Sequence, residues 1–128
     1  MPVVEVSWGE LVDKLTILEI KSQRLTAPEA VANVRRELGV VTDVLRAIVQ
    51  PPEFADLKQR LTAVNERLWE IEDRIRAKEA QRAFDGEFVA LARSVYLNND
   101  ERSALKRDIN RLLKSDLVEE KQYTRYKR

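Results

Sequence analysis

Between Val31 and Ile75 the apolar residues recur at alternating intervals of three and four, interrupted once by a pair of prolines. Val31, Val34, Leu38, Val41, Leu45 and Ile48 make the first run; Phe54, Leu57, Leu61, Val64, Leu68, Ile71 and Ile75 make the second. That spacing lays a narrow apolar seam along an α-helix and does not fit the two-residue period of a strand. Pro51-Pro52 stops the first helix, because proline has no N–H and restricts the residue before it. Two such seams across a short break are expected to fold back as an antiparallel coiled-coil-like hairpin, about 28–50 against 53–82.

Capping signals place the flanking elements. Ser7-Trp8-Gly9-Glu10 has the S-x-x-E form of a capping box, in which hydroxyl and carboxylate each satisfy a backbone N–H. It opens a helix with Trp8, Leu11, Val12, Leu15 and Leu18 along one side. Thr26-Ala27-Pro28-Glu29 repeats the signal, with a proline in the first turn. Asp85-Gly86 closes the third helix, and Phe88, Leu91, Ala92 and Val95 predict a shorter one after it. Asn98-Asn99-Asp100-Glu101 then reads as a dense cap that starts a last short helix reaching about Lys114. The expected fold is an all-α bundle: the long hairpin, an N-terminal helix and two shorter C-terminal helices. A chain of 128 residues suits one domain over 1–128, with 115–128 a partly ordered tail.

Composition excludes several function classes. There is no cysteine and no histidine, which rules out disulfides, thiolate or imidazole metal sites, cysteine nucleophiles and Ser–His triads. Gly9, Gly39 and Gly86 are the only glycines, too few and too scattered for a phosphate-cradling loop. With 23 basic and 22 acidic side chains, the chain has no whole-molecule field to attract nucleic acid or anionic lipid. No long apolar run occurs and MPVVEVSWGE lacks a signal-peptide pattern, so a cytoplasmic protein with no membrane insertion is expected. No cofactor, metal or catalytic residue is assigned.

The polar residues with a case for function lie beside the seams. Asn65, Trp69, Glu72 and Arg76 each follow a seam residue by one position, so they form a second stripe about 100° around the helix, with Asp73 adjacent. A large aromatic on that stripe calls for a covering helix or a ligand. Arg102, Lys106 and Asn110 recur every four residues, and like charges at that spacing need an acidic neighbour. Glu72, Asp73, Glu10, Asp13 and Glu19 are the available acids. Glu72 has Arg76 at the favourable i,i+4 position, which leaves Asp73 the less satisfied. These charges either fix helix register or line a polar pocket between helices.

Two further patterns have the residue types of a chemical or binding site. Glu10-x-x-Asp13 and Glu70-x-x-Asp73 have the carboxylate spacing of a helical magnesium site, as in nucleotide pyrophosphohydrolases. Glu10 is engaged by capping and the spacing is common in acidic helices, which argues against that enzyme reading. In KQYTRYKR, Lys121, Arg125, Lys127 and Arg128 alternate with Tyr123 and Tyr126, a mixture able to grip phosphate and stack bases. A solvated tail is the simpler account, and nucleic acid is not the expected partner.

SWGELVDKLTILEIK, NERLWEIEDRIR and YLNNDERSALKRDINRLLKSDLVEEKQY together resemble a small bacterial family of unknown function. The N-x-x-L-W-x-x-E-D-x-x-R pattern is similar to one in another uncharacterised bacterial family. The resemblance implies glycosyltransferase and surface-polysaccharide contexts, without supplying a reaction. By position its motif residues here are Asp13, Lys14, Glu19, Lys21, Asn65, Trp69, Glu72, Asp73, Arg76, Asn98, Asp100, Arg102, Lys106 and Asn110. The function expected is a non-enzymatic helical interaction or scaffold module in envelope polysaccharide assembly, partnered by a second copy or another protein. The alternative is an enzyme or binder for a nucleotide, nucleotide-sugar or other small anionic ligand. Arg102 and Lys106 would then hold phosphate, Asn65 and Asn110 orient it, and Asp73 serve as acid, base or metal ligand.

Overall fold

A computed structural model describes residues 1–115 and 120–126. The described residues form four α-helices and no strand: α1 Trp8–Arg24, α2 Pro28–Arg46, α3 Phe54–Ala80 and α4 Gly86–Leu112. The two short C-terminal helices expected from sequence are one, the 27-residue α4. Asn98 does not cap, because its side chain is engaged on the helix surface. Its Nδ2 donates to the Ser94 carbonyl at 2.8 Å, and its Oδ1 accepts from Arg67 Nε on α3 at 3.0 Å. An asparagine satisfied in this i−4 manner gives the backbone no reason to break.

The partners of the two seams also differ from expectation. No Cα of α2 lies within 8 Å of a Cα of α3, so these helices do not make a hairpin. Instead α3 runs antiparallel to α4 across the 81–85 turn, α2 packs on α1, and α1 touches all three others. The cause is the burial of α1 on more than one side: Val12, Leu15, Thr16, Leu18 and Ile20 are all buried. A helix so apolar around its girth takes the position between the others. The core joins Val12, Leu15 and Leu18 to Val41 and Leu45 of α2, Phe54, Leu61 and Val64 of α3, and Leu105 and Ile109 of α4. Ile71 and Ile75, the last residues of the α3 seam, are only half-buried.

Helix ends show which caps formed. Ser7 Oγ accepts from Glu10 N at 3.1 Å, as its motif predicts. At the head of α2, Ala27 takes the cap position without a side-chain bond and Pro28 opens the helix, so Thr26 is not the cap. Asp85 Oδ1 accepts from Phe88 N at 3.0 Å and starts α4. Both α3 and α4 end in a residue with left-handed backbone, Arg82 (φ 52°) and Lys114 (φ 57°). Ala83 N then reaches back to the Lys78 carbonyl and Ser115 N to the Asn110 carbonyl, the six-to-one bond of a Schellman end. In the tail, 120–126 lies along α4, where Tyr126 OH donates to Asp100 and packs edge-on against Tyr96. Residues 116–119 and 127–128, part of the tail expected to be partly ordered, lie outside the described residues. Among the described residues, no helix is long and apolar enough to cross a membrane.

Candidate functional site

The α1–α4 contact begins with a glycine. A Cβ on Gly9 would stand 2.4 Å from the Lys106 carbonyl oxygen and 2.8 Å from Asn110 Oδ1, so only glycine lets these backbones approach. At this approach the first N–H groups of α1, which no helix can satisfy internally, find side chains of the far end of the chain. Trp8 N donates to Ser115 Oγ at 2.8 Å and Gly9 N to Asn110 Oδ1 at 2.6 Å. Glu10 does not complete a reciprocal capping box; its carboxylate sits 2.7 Å from Lys106 Nζ, and Lys106 is 7% exposed.

One turn further along α1 lies a buried carboxylate. Asp13, 3% exposed, accepts from Arg102 Nε at 2.9 Å and Arg102 Nη2 at 2.5 Å, a bidentate pair. Asn65 Nδ2 donates to the same carboxylate and to Thr16 Oγ1, both at 2.9 Å. Thr16 Oγ1 in turn donates to the Asp13 carbonyl at 2.8 Å. The network ties α1, α3 and α4 together, with its charge matched and Asn65 using both amide hydrogens.

Arg102 is also the wall of an open cleft of about 520 Å³ between α1, α3 and α4. Ile17 and Leu68 give it apolar surface, with Trp69, Asp73 and Arg76 along α3 and Asn99 on α4. The polar stripe of α3 is therefore divided. Its Asn65 end is covered by protein, while the Trp69–Arg76 end faces a cavity large enough for a ligand. Glu72 Oε2 lies 3.7 Å from Arg76 Nε, whereas Asp73 has no ion pair among the described residues. Two carboxylates, Glu72 and Asp73, and two guanidiniums, Arg76 and Arg102, line the cleft, but Arg102 is committed to the buried Asp13 and Arg76 to Glu72, which leaves Asp73 as the carboxylate without an ion pair among the described residues.

A family model matches residues 2–126. The chain belongs to the family of unknown function DUF6165. No curated protein and no solved structure matches it. In this DUF6165 chain the structure joins Asp13, Asn65 and Arg102 in one network, with Lys106 and Asn110 beside it at the Gly9 approach. Trp69, Glu72, Asp73 and Arg76 share the adjoining cleft. Lys14 pairs with Glu37 on α2 at 2.8 Å and Glu19 with Lys58 on α3 at 3.1 Å, both away from that cleft. Lys21 lines a second hollow, beyond Ile17, together with Glu10 and Asp13. Asn98 and Asp100 sit on other faces of α4, toward Arg67 and Tyr126. Sequence reasoning missed Gly9, Thr16, Ser115 and Asn99. For Gly9 a signal existed: a glycine in the first turn of an otherwise strong helix weakens it and suggests a close approach.

Proposed function

We propose that this chain is a non-enzymatic helical interaction module whose Trp69 cleft receives a basic segment of another protein. The Asp73 carboxylate, without an ion pair among the described residues, carries the reading. Arg102 is held by Asp13 and Lys106 by Glu10, so the two cations that the phosphate-binding alternative requires already face carboxylates. What the cleft presents is Asp73 beside the indole of Trp69, with Ile17 and Leu68 below. A lysine or arginine side chain meets both, by ion pairing and by a cation–π contact, while its apolar neighbours cover the floor. The family resemblance to glycosyltransferase and surface-polysaccharide contexts supports partners in envelope polysaccharide assembly. The expected self-association has its support on α2, whose Val40 and Val44 stay exposed; light scattering that reads only monomer at high micromolar concentration removes it.

The test uses Trp8→Phe as background, so that fluorescence reports Trp69 alone. A short amphipathic peptide with alternating leucine and arginine should quench it saturably. Asp73→Asn should weaken that peptide about fivefold, the size of one exposed ion pair near 1 kcal/mol. Saturable quenching by inorganic phosphate, with none by the peptide, sinks the proposal.

A further inference from the structure

Across α4 from the Trp69 cleft, the tail segment builds a surface of opposite character. Two adjoining hollows lie between α4 and residues 121–126, one of about 700 Å³ and one of about 390 Å³, and Lys121, Tyr123 and Thr124 line both. Arg93 and Tyr96 belong to the larger hollow; Ser103, Arg107 and Arg125 belong to the smaller. Neither Arg107 nor Arg125 has an ion-pair partner among the described residues, and with Lys121 they outnumber Asp100, the carboxylate that lines the same hollow, so the smaller hollow is positive on balance. Asp100, the acid of this surface, is engaged by the Tyr126 hydroxyl. Tyr123 stays 75% exposed although it lines both hollows, an aromatic face open to stacking.

We infer that this surface binds a nucleoside monophosphate unit. Its phosphate lies in the smaller hollow between Arg107 and Arg125, with the Ser103 and Thr124 hydroxyls as further donors. Guanidinium forks match phosphate oxygens two at a time. Its planar base lies in the larger hollow on the ring of Tyr123, where stacking on an aromatic is insensitive to which base is present. The larger volume falls in the range of small-molecule sites, and the overall near-neutral charge of the chain is no obstacle, because the positive charge is local. The unit belongs either to a free nucleotide or to a single strand, and both present the same phosphate and ring. Asn99 lines both the larger hollow and the Trp69 cleft, but none of the residues assigned to the phosphate or the base does, so the inference stands apart from the function proposed above.

Isothermal titration of the full chain with AMP tests it, with adenosine, inorganic phosphate and tetra-adenylate as separate titrants. AMP should bind, and adenosine and phosphate should each bind at least tenfold more weakly. Arg107→Gln with Arg125→Gln should weaken AMP at least tenfold, and Tyr123→Leu should bring AMP close to the affinity of phosphate. All three side chains are exposed, so the melting curve should not move. Asp73→Asn should leave AMP affinity as it is. Tighter binding of tetra-adenylate than AMP assigns the unit to a strand, and equal binding assigns it to the free nucleotide. No heat with any titrant at millimolar concentration, or an AMP affinity unchanged in the double arginine variant, overturns the inference.

Discussion

Two glycines in helical positions are expected to answer the same substitution with opposite signs. Gly39 lies in α2 with nothing within 4 Å of a Cβ, so Gly39→Ala should stabilise by about 0.5–1 kcal/mol through reduced freedom of the unfolded chain. Gly9→Ala meets the Lys106 carbonyl, a backbone atom that cannot rotate aside, and should cost about 1–3 kcal/mol as α1 is levered off α4. Urea unfolding of both variants measures the contrast. At Asp13 the comparison is between one lost partner and two. Arg102→Met leaves a buried carboxylate without its cation and should cost about 3–5 kcal/mol. Adding Asp13→Asn to that variant should recover part of the loss, since an amide in the same place carries no charge. A double variant no more stable than Arg102→Met alone contradicts the pairing as the source of the cost.

At the scale of elements, the turn between α3 and α4 holds a compact ion cluster. Lys78 Nζ lies 2.9 Å from Asp85 and 3.2 Å from Glu87, and Arg74 reaches Glu87 at 3.0 Å. The hydrogen bond from Lys78 lowers the Asp85 carboxyl, assisted by the Phe88 N–H, and lowers Glu87, assisted by Arg74. The same bonds, that to Asp85 foremost, raise Lys78. Carboxyls lowered on folding stabilise above their unfolded values, near pH 4, and lose that contribution as pH falls through the folded values. The lysine stabilises below its unfolded value, near pH 10.4, and its contribution fades as pH rises through the folded one. The protection of the Ala83 to Val89 amides, taken relative to the intrinsic exchange rate at each pH, should therefore fall below about pH 4 and again above about pH 10.4. Arg74, Asp85 and Glu87 are exposed and Lys78 is half-buried among them, so the effect should be local and weakened by salt.

What was legible at this scale, and what was not, follows from the range of each signal. Seam periodicity and caps are local, and they identified the starts of α1, α2 and α4 and both long seams. Which seam faces which is settled by a third helix that sequence spacing does not see, and α1 displaced the expected α2–α3 pairing by fitting between them. The false break at Asn98 shows the same limit. Its composition matched a cap, but Arg67, far off in sequence, offered the side chain a partner on the helix surface. In the candidate site, Asp73 as the unsatisfied acid was readable from i,i+4 arithmetic. The choice of Asp13 for Arg102, across 89 positions, was not.

For the whole molecule, the position of α1 sets where unfolding begins. The shared core draws on all four helices around Val12, Leu61, Leu105 and Ile109, each at most 1% exposed. The α3 seam continues past that core to Ile71 and Ile75, which are half-buried, and Leu91 is buried there outside the core cluster. Local opening is easiest where apolar contacts are fewest, and cooperative loss of the rest requires the core itself to come apart. Native-state exchange should show amides around Ile75 and Leu91 opening at a lower free energy than those around Leu61 and Ile109. Large-to-small substitutions should grade likewise: Leu61→Ala at about 2–5 kcal/mol, with Ile75→Ala toward or below the bottom of that range. Since the Trp69 cleft lies between these two regions, Ile75→Ala should also loosen the wall that holds Arg76 and weaken peptide binding. Leu61→Ala should lower stability while leaving the affinity of the folded fraction as it was. Equal effects of the two substitutions on stability, or uniform exchange along α3, would show that the arm and the core unfold as a single unit.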